Sequence, residues 1–266
     1  EKFTGREAKV ATILVPDSRK ALSKLALAFY ANPFKNITLI GITGTNGKTT
    51  TTYLLESMVK AAGGKPGVLG TVNYRFSEKK VPAPVTTPES LDLIRFSREM
   101  VDDGATHIVM EVSSHALDQG RTQDCPFNVA VFTNLSRDHL DYHKTMDEYF
   151  AAKSRLFKEL PVDHAGRKSS AVINLDDPRG KDLVAITRAA IFAYGLGKEC
   201  QVSANSIHMD GNGLTFRLRT SVGERVVRSP LIGDFNVYNM LAAAGAGIAL
   251  SLPFEAVIQG IEALKS

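Results

Sequence analysis

Short apolar runs alternate along this chain with segments in which apolar residues recur every three or four positions. Four of the runs have the length of a buried strand: 37–43, 107–112, 129–133 and 171–175. The segments that begin at Lys48 and Met146 have the spacing of amphipathic helices, and the second ends near Leu160. Strands that alternate with helices in this way predict an α/β fold with a doubly wound, mostly parallel sheet.

Residues that favour helix ends mark some of the boundaries. Thr87 followed by Pro88 predicts the start of a helix, and Gly104 predicts its end. The pattern Thr145-x-x-Glu148 is a capping box, which predicts the start of the helix that follows it.

The remaining stretches define the expected domain organisation. Residues 1–36 hold one expected strand, Val10–Val15, and a helix from about Asp17 to Tyr30. This is too little to fold alone, so we expect the tail of a preceding domain. Residues 37–266 would form one large domain, in which the short alternating runs of 201–230 predict a small antiparallel β subdomain. Two helices are expected to close the chain, at 236–251 and 253–264.

The loop after the first strand has the composition of a phosphate-binding loop. From position 41 to 50 it reads Gly-Ile-Thr-Gly-Thr-Asn-Gly-Lys-Thr-Thr. Gly44 and Gly47 allow the backbone to turn its N–H groups towards phosphate oxygens. Lys48 is placed to reach the β- and γ-phosphates, and Thr49 to bind Mg²⁺. The common motif has glycine where this chain has Ile42, so the loop is a variant, and an ordinary tight turn is the alternative.

Two polar residues stand where predicted strands end, which is where open parallel sheets bind ligands. Glu111 ends an apolar run. A buried carboxylate is costly unless it is paired, so its expected partner is Mg²⁺ or a basic side chain. His139 follows the strand at 129–133 and is either a ligand, a polar positioning residue or an ordinary histidine.

Lys153 interrupts the apolar face of a predicted helix. It lies four residues after Tyr149 and three before Leu156. Either its stem packs while the ammonium group reaches water, or the whole side chain is buried. A buried lysine loses its proton readily and becomes open to covalent chemistry. The sequence leaves both alternatives open.

Hydroxyl and guanidinium groups nearby are candidates for binding an anionic substrate. Thr86 and Thr87 lie together at a predicted helix start, where anions bind favourably. Arg121, close to Asp118 and Gln119, has the fork geometry for a carboxylate, or is an ordinary surface arginine.

Composition and charge narrow the classes of partner. A hydrophobic content of 44% and a charged content of 23% are ordinary for a globular protein. The net charge of +4 suits a small polyanion, but no long basic run indicates nucleic acid. Cys125 and Cys200 form neither a ligand cluster nor a disulfide framework. This use of cysteine favours a reducing cytoplasm. The sequence shows no signal peptide and no membrane-spanning run, so we expect no membrane partner. We also expect a monomer.

Five motifs taken together resemble those of the Mur ligases: T-G-T-N-G-K-T-T, Thr86-Thr87-Pro88, E-V-S-S-H-A-L-D-Q-G-R, T-N-L-S-R-D-H-L-D-Y-H and A-K-S-R-L-F. The dense match covers about residues 37–160 and continues at Asn174–Pro178 and Gly233–Asn239. Within the family, the resemblance is to the branch that adds the third amino acid to UDP-N-acetylmuramoyl-L-alanyl-D-glutamate. It implies three domains, of which this chain would hold the end of the first and the central ATPase, with the amino-acid-binding domain absent.

The resemblance also implies roles for the matching residues. ATP phosphates would bind at Gly44, Thr45, Asn46, Gly47, Lys48, Thr49 and Thr50. Nucleotide-side or structural positions would be Asn174, Asp177, Asn236 and Asn239. Two Mg²⁺ ions would be held by Thr49, Glu111, His139 and a carbamylated Lys153. The catalytic residues would be Lys48, Glu111, His139 and Lys153, and the muramoyl-dipeptide would contact Thr86, Thr87, Ser113, Gln119 and Arg121.

The implied reaction has two stages. ATP phosphorylates the terminal carboxylate of the dipeptide, and the amine of the incoming amino acid then displaces phosphate. The sequence leaves open whether that amino acid is diaminopimelate or lysine. Alternative functions are another ligase of the superfamily such as folylpolyglutamate synthetase, a non-catalytic ATP-binding module, and a nucleic-acid motor, which the scattered basic residues disfavour.

Overall fold

The computed structural model describes residues 13–164 and 166–264. In these ranges the α-helices, α1 to α8, are Ser18–Phe29, Lys48–Ala61, Ser90–Asp102, Ser114–Asp118, Met146–Lys158, Gly180–Ile186, Phe235–Ala249 and Phe254–Glu262. The strands, β1 to β13, are Thr38–Thr43, Pro66–Leu69, Asn73–Phe76, Lys79–Pro82, His107–Glu111, Val129–Phe132, Asp163–His164, Arg167–Lys168, Ser170–Asn174, Ala190–Gly195, Val202–Asp210, Gly213–Thr220 and Gly223–Ser229. None of the described helices is both long and apolar enough to cross a bilayer.

Eleven strands form one sheet in the order β13-β12-β11-β10-β9-β6-β1-β5-β2-β3-β4. The strands from β11 to β2 run parallel, and antiparallel strands extend the sheet on both sides. This confirms the predicted α/β fold. The antiparallel strands expected within 201–230 form a meander that continues the main sheet, because β11 pairs with β10. Strands β7 and β8 form a separate small antiparallel pair.

Strand β1 lies between β5 and β6, and this placement builds the site. The chain leaves β1 on one side to reach β5 and returns to the other side as β6. The carboxyl ends of the three strands therefore meet at one edge of the sheet, where the strand order reverses. The loop after Thr43, the residue Glu111 and the loop after Phe132 are brought together there.

Both faces of the sheet are covered because neighbouring strand residues point to opposite sides. Ile40 and Val131 face the side that packs with α2, α7 and α8. Leu39 and Ala130 belong to the core on the other side, which also takes in residues of α3 and α5. Such double coverage explains why the central strands are apolar throughout rather than alternating.

Two predicted helix starts are confirmed. Asp17 caps α1, with its carboxylate accepting hydrogen bonds from the N–H groups of Arg19 and Lys20 at 3.0 and 3.1 Å. Thr145 caps α5 and accepts from Glu148 N at 3.1 Å. The Glu148 carboxylate reaches back one residue beyond the cap, to the N–H of Lys144 at 2.9 Å.

Two other local predictions need correction. Thr87 does not cap a helix: α3 begins at Ser90, with Glu89 as its cap. The Thr87 hydroxyl instead donates to the main-chain oxygen of Glu111 at 2.8 Å, because the segment packs against the end of β5. Of the strand expected at Val10–Val15, residues 10–12 lie outside the described ranges, and 13–15 are not extended into a strand.

Candidate active site

The phosphate-binding loop joins β1 to α2 through two glycines that no other residue could replace without movement. Gly47 caps α2 with φ of +85°, and a Cβ atom there would lie 2.1 Å from Asn239 Oδ1. At Gly44, where φ is +147°, a Cβ atom would lie 1.9 Å from Thr133 Oγ1. Ile42 is a fully buried residue of β1, so the variant position belongs to the strand rather than to the turn.

Lys48 folds back over this loop. Its ammonium group donates to the main-chain oxygens of Gly44 and Thr45, at 2.9 and 2.7 Å. Burial lowers the pKa of Lys48, while the charges of Glu111 and Asp138 act in the opposite direction. A cation held by carbonyl oxygens at the start of α2 is suited to an anionic ligand that approaches the same helix end.

Glu111 is buried with its carboxylate bound by hydroxyl and amide groups. Its exposed fraction is 1%. Thr49 Oγ1 lies 3.0 Å from both carboxylate oxygens. Thr71 donates its N–H to Oε1 at 3.0 Å and its hydroxyl to Oε2 at 2.9 Å. Within the described residues no basic side chain forms an ion pair with this carboxylate, so the salt-bridge alternative does not apply there.

Lys153 is fully enclosed rather than extended to water. Its exposed fraction is 1%, and its ammonium donates to Gly44 O at 2.8 Å. The same nitrogen lies 4.4 Å from the centre of the Tyr149 ring. Burial, and secondly the charge of Lys48, holds the pKa of Lys153 well below its usual value. The side-chain nitrogens of Lys48 and Lys153 therefore share one carbonyl oxygen, and the alternative in which the Lys153 ammonium group reaches water is excluded.

His139 completes one wall of a cavity of about 260 Å³. Its side chain is 44% exposed and its φ is +54°. Its ring packs edge-on against His115, with the two ring centres 5.1 Å apart. The lining of the cavity includes Lys48, Thr49, Thr71, Thr86, Glu111, Ser113 and Lys153.

A second cavity, of about 690 Å³, lies beside the first and shares Asn46, Gly47 and Thr50 with it. Of the predicted nucleotide-side residues, Asn174, Asp177 and Asn239 line this larger cavity. Asn236 does not line it, but it accepts a hydrogen bond from the amide of Asn239 at 2.9 Å. Sequence reasoning did not identify Phe235, Tyr238 and Asp176 on its walls.

Of the five residues predicted to contact the muramoyl-dipeptide, two line the smaller cavity and three line neither cavity. Thr86 and Ser113 line the smaller cavity. Thr87 has an exposed fraction of 1%. Its hydroxyl donates to Glu111 O and accepts from the N–H of Ser113. Arg121 and Gln119 lie outside both cavities and bond to each other at 2.6 Å.

The side chains of the smaller cavity offer mainly oxygen donors to a metal ion. In the two described ranges, no group of three or more His, Cys, Asp and Glu side chains is placed to hold a metal. The cavity instead combines one carboxylate with hydroxyl groups, one imidazole and one buried amine. Oxygen donors of this kind suit Mg²⁺, which keeps several waters and needs only one or two carboxylates beside phosphate oxygens.

Sequence and structure comparisons identify close relatives. Residues 42–247 match the Mur ligase middle domain. The chain is 51% identical over 249 residues to the UDP-N-acetylmuramoyl-L-alanyl-D-glutamate--2,6-diaminopimelate ligase of Geobacter metallireducens, covering 93% of this chain and 49% of that protein. It is 47% identical over 249 residues to the enzyme of the same name from Geobacillus kaustophilus, covering 93% of this chain and 51% of that protein. The chain thus spans about half the length of the curated relatives it matches.

Solved structures agree with these matches. A structure of a UDP-N-acetylmuramoyl-L-alanyl-D-glutamate--2,6-diaminopimelate ligase superposes with a TM-score of 0.84 at 32% identity, covering 98% of this chain and 54% of that one. A folylpolyglutamate synthase of Mycobacterium tuberculosis superposes with a TM-score of 0.75 at 18% identity, covering 92% of this chain and 63% of that one, which shows a shared fold only.

Proposed function

This chain belongs to the Mur ligase family, and on that premise we propose that it is the ATP-binding part of an amide-bond ligase. The complete protein would join diaminopimelate to UDP-N-acetylmuramoyl-L-alanyl-D-glutamate, as the names of its relatives indicate for those enzymes. Residues 1–36 would end a UDP-binding domain and 37–266 would form the central domain. The amino-acid-binding domain would lie in another part of a longer cytoplasmic protein.

The observation that carries this proposal is the pair of adjoining cavities along one phosphate-binding loop. The larger cavity, of about 690 Å³, has room for a nucleoside. The smaller one, of about 260 Å³, brings Lys48 and Glu111 to the shared residues of the loop. A triphosphate bound along Asn46 and Gly47 would therefore direct its terminal phosphate towards Lys48 and Glu111.

The side chains of the smaller cavity would hold the metal and neutralise charge. Thr49 and Glu111 would hold one Mg²⁺, and Glu111 with His139 and a carbamylated Lys153 would hold a second. Bound Mg²⁺ would reduce the repulsion between a carboxylate substrate and the triphosphate. Lys48 would turn from the carbonyl oxygens of its own loop to the phosphate oxygens.

Carbamylation of Lys153 would convert a buried cation into an oxygen ligand. The neutral amine attacks the carbon of CO₂ and forms a new N–C bond. The electron pair of one C=O π bond moves onto its oxygen, which becomes part of the anionic carbamate group. A proton then leaves from the nitrogen. Only the uncharged amine has the lone pair for this step, and burial lowers the pKa of Lys153 in the direction that favours it. The change would also remove the repulsion between two ammonium groups at Gly44 O.

The chemistry that we propose is phosphoryl transfer followed by amide formation. An oxygen of the dipeptide carboxylate attacks the γ-phosphorus of ATP, which gives an acyl phosphate and ADP. The uncharged amine of diaminopimelate attacks the acyl carbon, the bond between that carbon and the phosphate oxygen breaks, and phosphate and a proton from the nitrogen are released. Thr86 and Ser113, which line the smaller cavity, would bind the acceptor, so the protein would contribute position and charge rather than a covalent intermediate.

Binding of MgATP by this chain is the first expected result. Ligand at 100 times its Kd stabilises a protein by about 2.7 kcal/mol. For a chain of this size the melting temperature should rise by roughly 5–10 °C. We expect Lys48→Ala to lose this shift. Lys158→Ala, an exposed lysine of α5, serves as the control and should keep it.

Catalysis is then measured with the full-length protein. ADP release should require UDP-N-acetylmuramoyl-L-alanyl-D-glutamate together with diaminopimelate. Stimulation by lysine or by a folate acceptor instead would contradict the proposed substrate. An equal thermal shift in wild type and Lys48→Ala would contradict the proposed nucleotide site.

A further inference from the structure

A residue outside the predicted site holds the Glu111 carboxylate more completely than any other. Thr71 contributes two donors: its N–H lies 3.0 Å from Oε1 and its hydroxyl 2.9 Å from Oε2. Thr49 contributes only one hydroxyl proton, shared between the two oxygens at 3.0 Å each. The orientation of the carboxylate plane is therefore fixed mainly from the side of Thr71.

The number of available protons sets the direction of these hydrogen bonds. A carboxylate only accepts, so the single hydroxyl proton of Thr71 is directed to Glu111. Thr86 Oγ1 lies 3.2 Å from Thr71 Oγ1 and must then be the donor between the two hydroxyls. The result is a chain of hydrogen bonds from Thr86 through Thr71 to Glu111, in which each bond polarises the next.

The fold itself brings Thr71 to this position. Strand β2 pairs in parallel with β5, with Leu69 opposite Met110. Because β2 and β5 end at nearly the same position along the sheet, Thr71 lies beside Glu111. Gly70 permits the approach, because a Cβ atom there would lie 2.5 Å from Glu111 Oε1.

We propose that Thr71 is a positioning residue that orients the Glu111 carboxylate for metal binding and links it to Thr86 on the acceptor side. The inference rests on the proposed function, since Glu111 is a metal ligand only in that proposal. Groups that hydrogen-bond to a metal-ligating carboxylate fix its orientation, and their loss typically costs roughly 10–100-fold in metal affinity. Thr71 lines only the smaller cavity, so it would not contact a nucleoside bound in the larger one.

Thr71→Val tests this role, because valine keeps the shape and the main-chain N–H but lacks the hydroxyl. We would measure the Kd of the non-hydrolysable analogue AMPPNP by calorimetry, first in EDTA and then across a Mg²⁺ titration. The expected result is an unchanged Kd in EDTA, with the Mg²⁺ concentration at half-effect raised about tenfold. Thr71→Ser retains the hydroxyl and should restore the wild-type Mg²⁺ dependence.

The controls separate this inference from a structural effect and from the proposed function. Thr215→Val makes the same change on β12 and should alter neither constant. The inference is overturned if Thr71→Val keeps the wild-type Mg²⁺ dependence, or if it weakens AMPPNP equally with and without metal. If wild type itself fails to bind AMPPNP with Mg²⁺, the proposed nucleotide site fails, and this inference fails with it.

Discussion

At the scale of single residues, Lys153 shows how burial changes chemistry. Its ammonium shares Gly44 O with Lys48, and burial holds the pKa of Lys153 well below the usual 10.5. The unfolded chain therefore binds a proton more readily than the folded chain between the lowered pKa and 10.5. Stability rises with pH across that interval, since the unfolded state carries the extra proton.

Lys153→Met should remove this dependence. In CO₂-free buffer we expect the variant to gain more over wild type at neutral pH than at high pH, because folding at neutral pH must remove or bury a proton that the unfolded lysine holds firmly. Its relative advantage should shrink as the pH rises towards 10.5. Urea denaturation at a series of pH values measures the difference. Lys158→Met on the exposed side of the same helix is the control, and a pH-independent difference for Lys153→Met would contradict the argument.

At the residue scale, the informative signal in the sequence was a polar residue that interrupts an apolar run. Glu111 and Lys153 are out of place in their local patterns, and both are buried in the candidate site. Thr71 could not be found in this way, because it follows a strand of only four residues that contains proline and glycine. A hydroxyl in such a segment has the composition of an ordinary turn, and only the pairing of β2 with β5 places it beside Glu111.

At the scale of elements, the helix that carries the phosphate-binding loop depends on close packing with α8. A Cβ atom on Gly260 would lie 2.4 Å from Met58 Cγ and 2.6 Å from Met58 Cα and N. The main chain of α2 cannot yield as a flexible side chain would. We infer that this glycine sets the distance between the two helices.

Gly260→Ala should therefore destabilise the protein although alanine favours helix. Overpacking costs typically about 1–3 kcal/mol, against a helix-propensity gain of up to ~1 kcal/mol. We expect a net loss of about 1–2 kcal/mol in the free energy of unfolding, measured by urea denaturation. Gly211→Ala, where a Cβ atom meets nothing within 4 Å, is the control. A stabilised Gly260→Ala would show that α8 shifts freely over α2.

Long periodic elements were predictable from sequence, and short or exposed ones were not. The helices at 48–61, 146–158 and 235–249 each have a continuous apolar face or a cap that marks them. Strand β4 is exposed at all four positions and therefore has no alternation to detect. Helix α6 has seven residues and no side-chain cap.

At the scale of the whole molecule, the fold class followed from the alternation of strands and helices, but the strand order did not. Local patterns specify which segments are buried, whereas the neighbours of each strand depend on contacts between distant segments. The meander at 202–229 illustrates this limit, because its alternation predicted antiparallel strands but not their continuity with β10. The placement of β1 between β5 and β6 is the feature on which the candidate site depends.

The sheet has two outermost strands, and each presents a different obstacle to further pairing. Strand β4 reads Lys79-Lys80-Val81-Pro82, so it offers charge and a residue without an N–H group. Strand β13 is tied to α8, through an ion pair of Arg225 with Glu255 and a hydrogen bond from Arg228 N to Glu262 at 3.1 Å.

Replacing a lysine and the proline of β4 should make this edge of the sheet able to pair with a strand of another molecule. For Lys80→Val with Pro82→Val we expect a melting temperature close to wild type but light scattering at lower protein concentration. Lys20→Val with Lys24→Val, on exposed positions of α1, removes two positive charges away from the sheet, where the test variant removes one, so a loss of charge alone should affect the control at least as strongly. Equal scattering by the two double variants would contradict the argument.

The outermost strands thus affect the solubility of the protein at high concentration. An open row of main-chain donors and acceptors invites a strand from a neighbouring molecule, and from there the growth of insoluble aggregates. The lysines and proline of β4 and the helix over β13 discourage that addition at both ends. A sheet of eleven strands can in this way remain open-ended without acting as a template for its own copies.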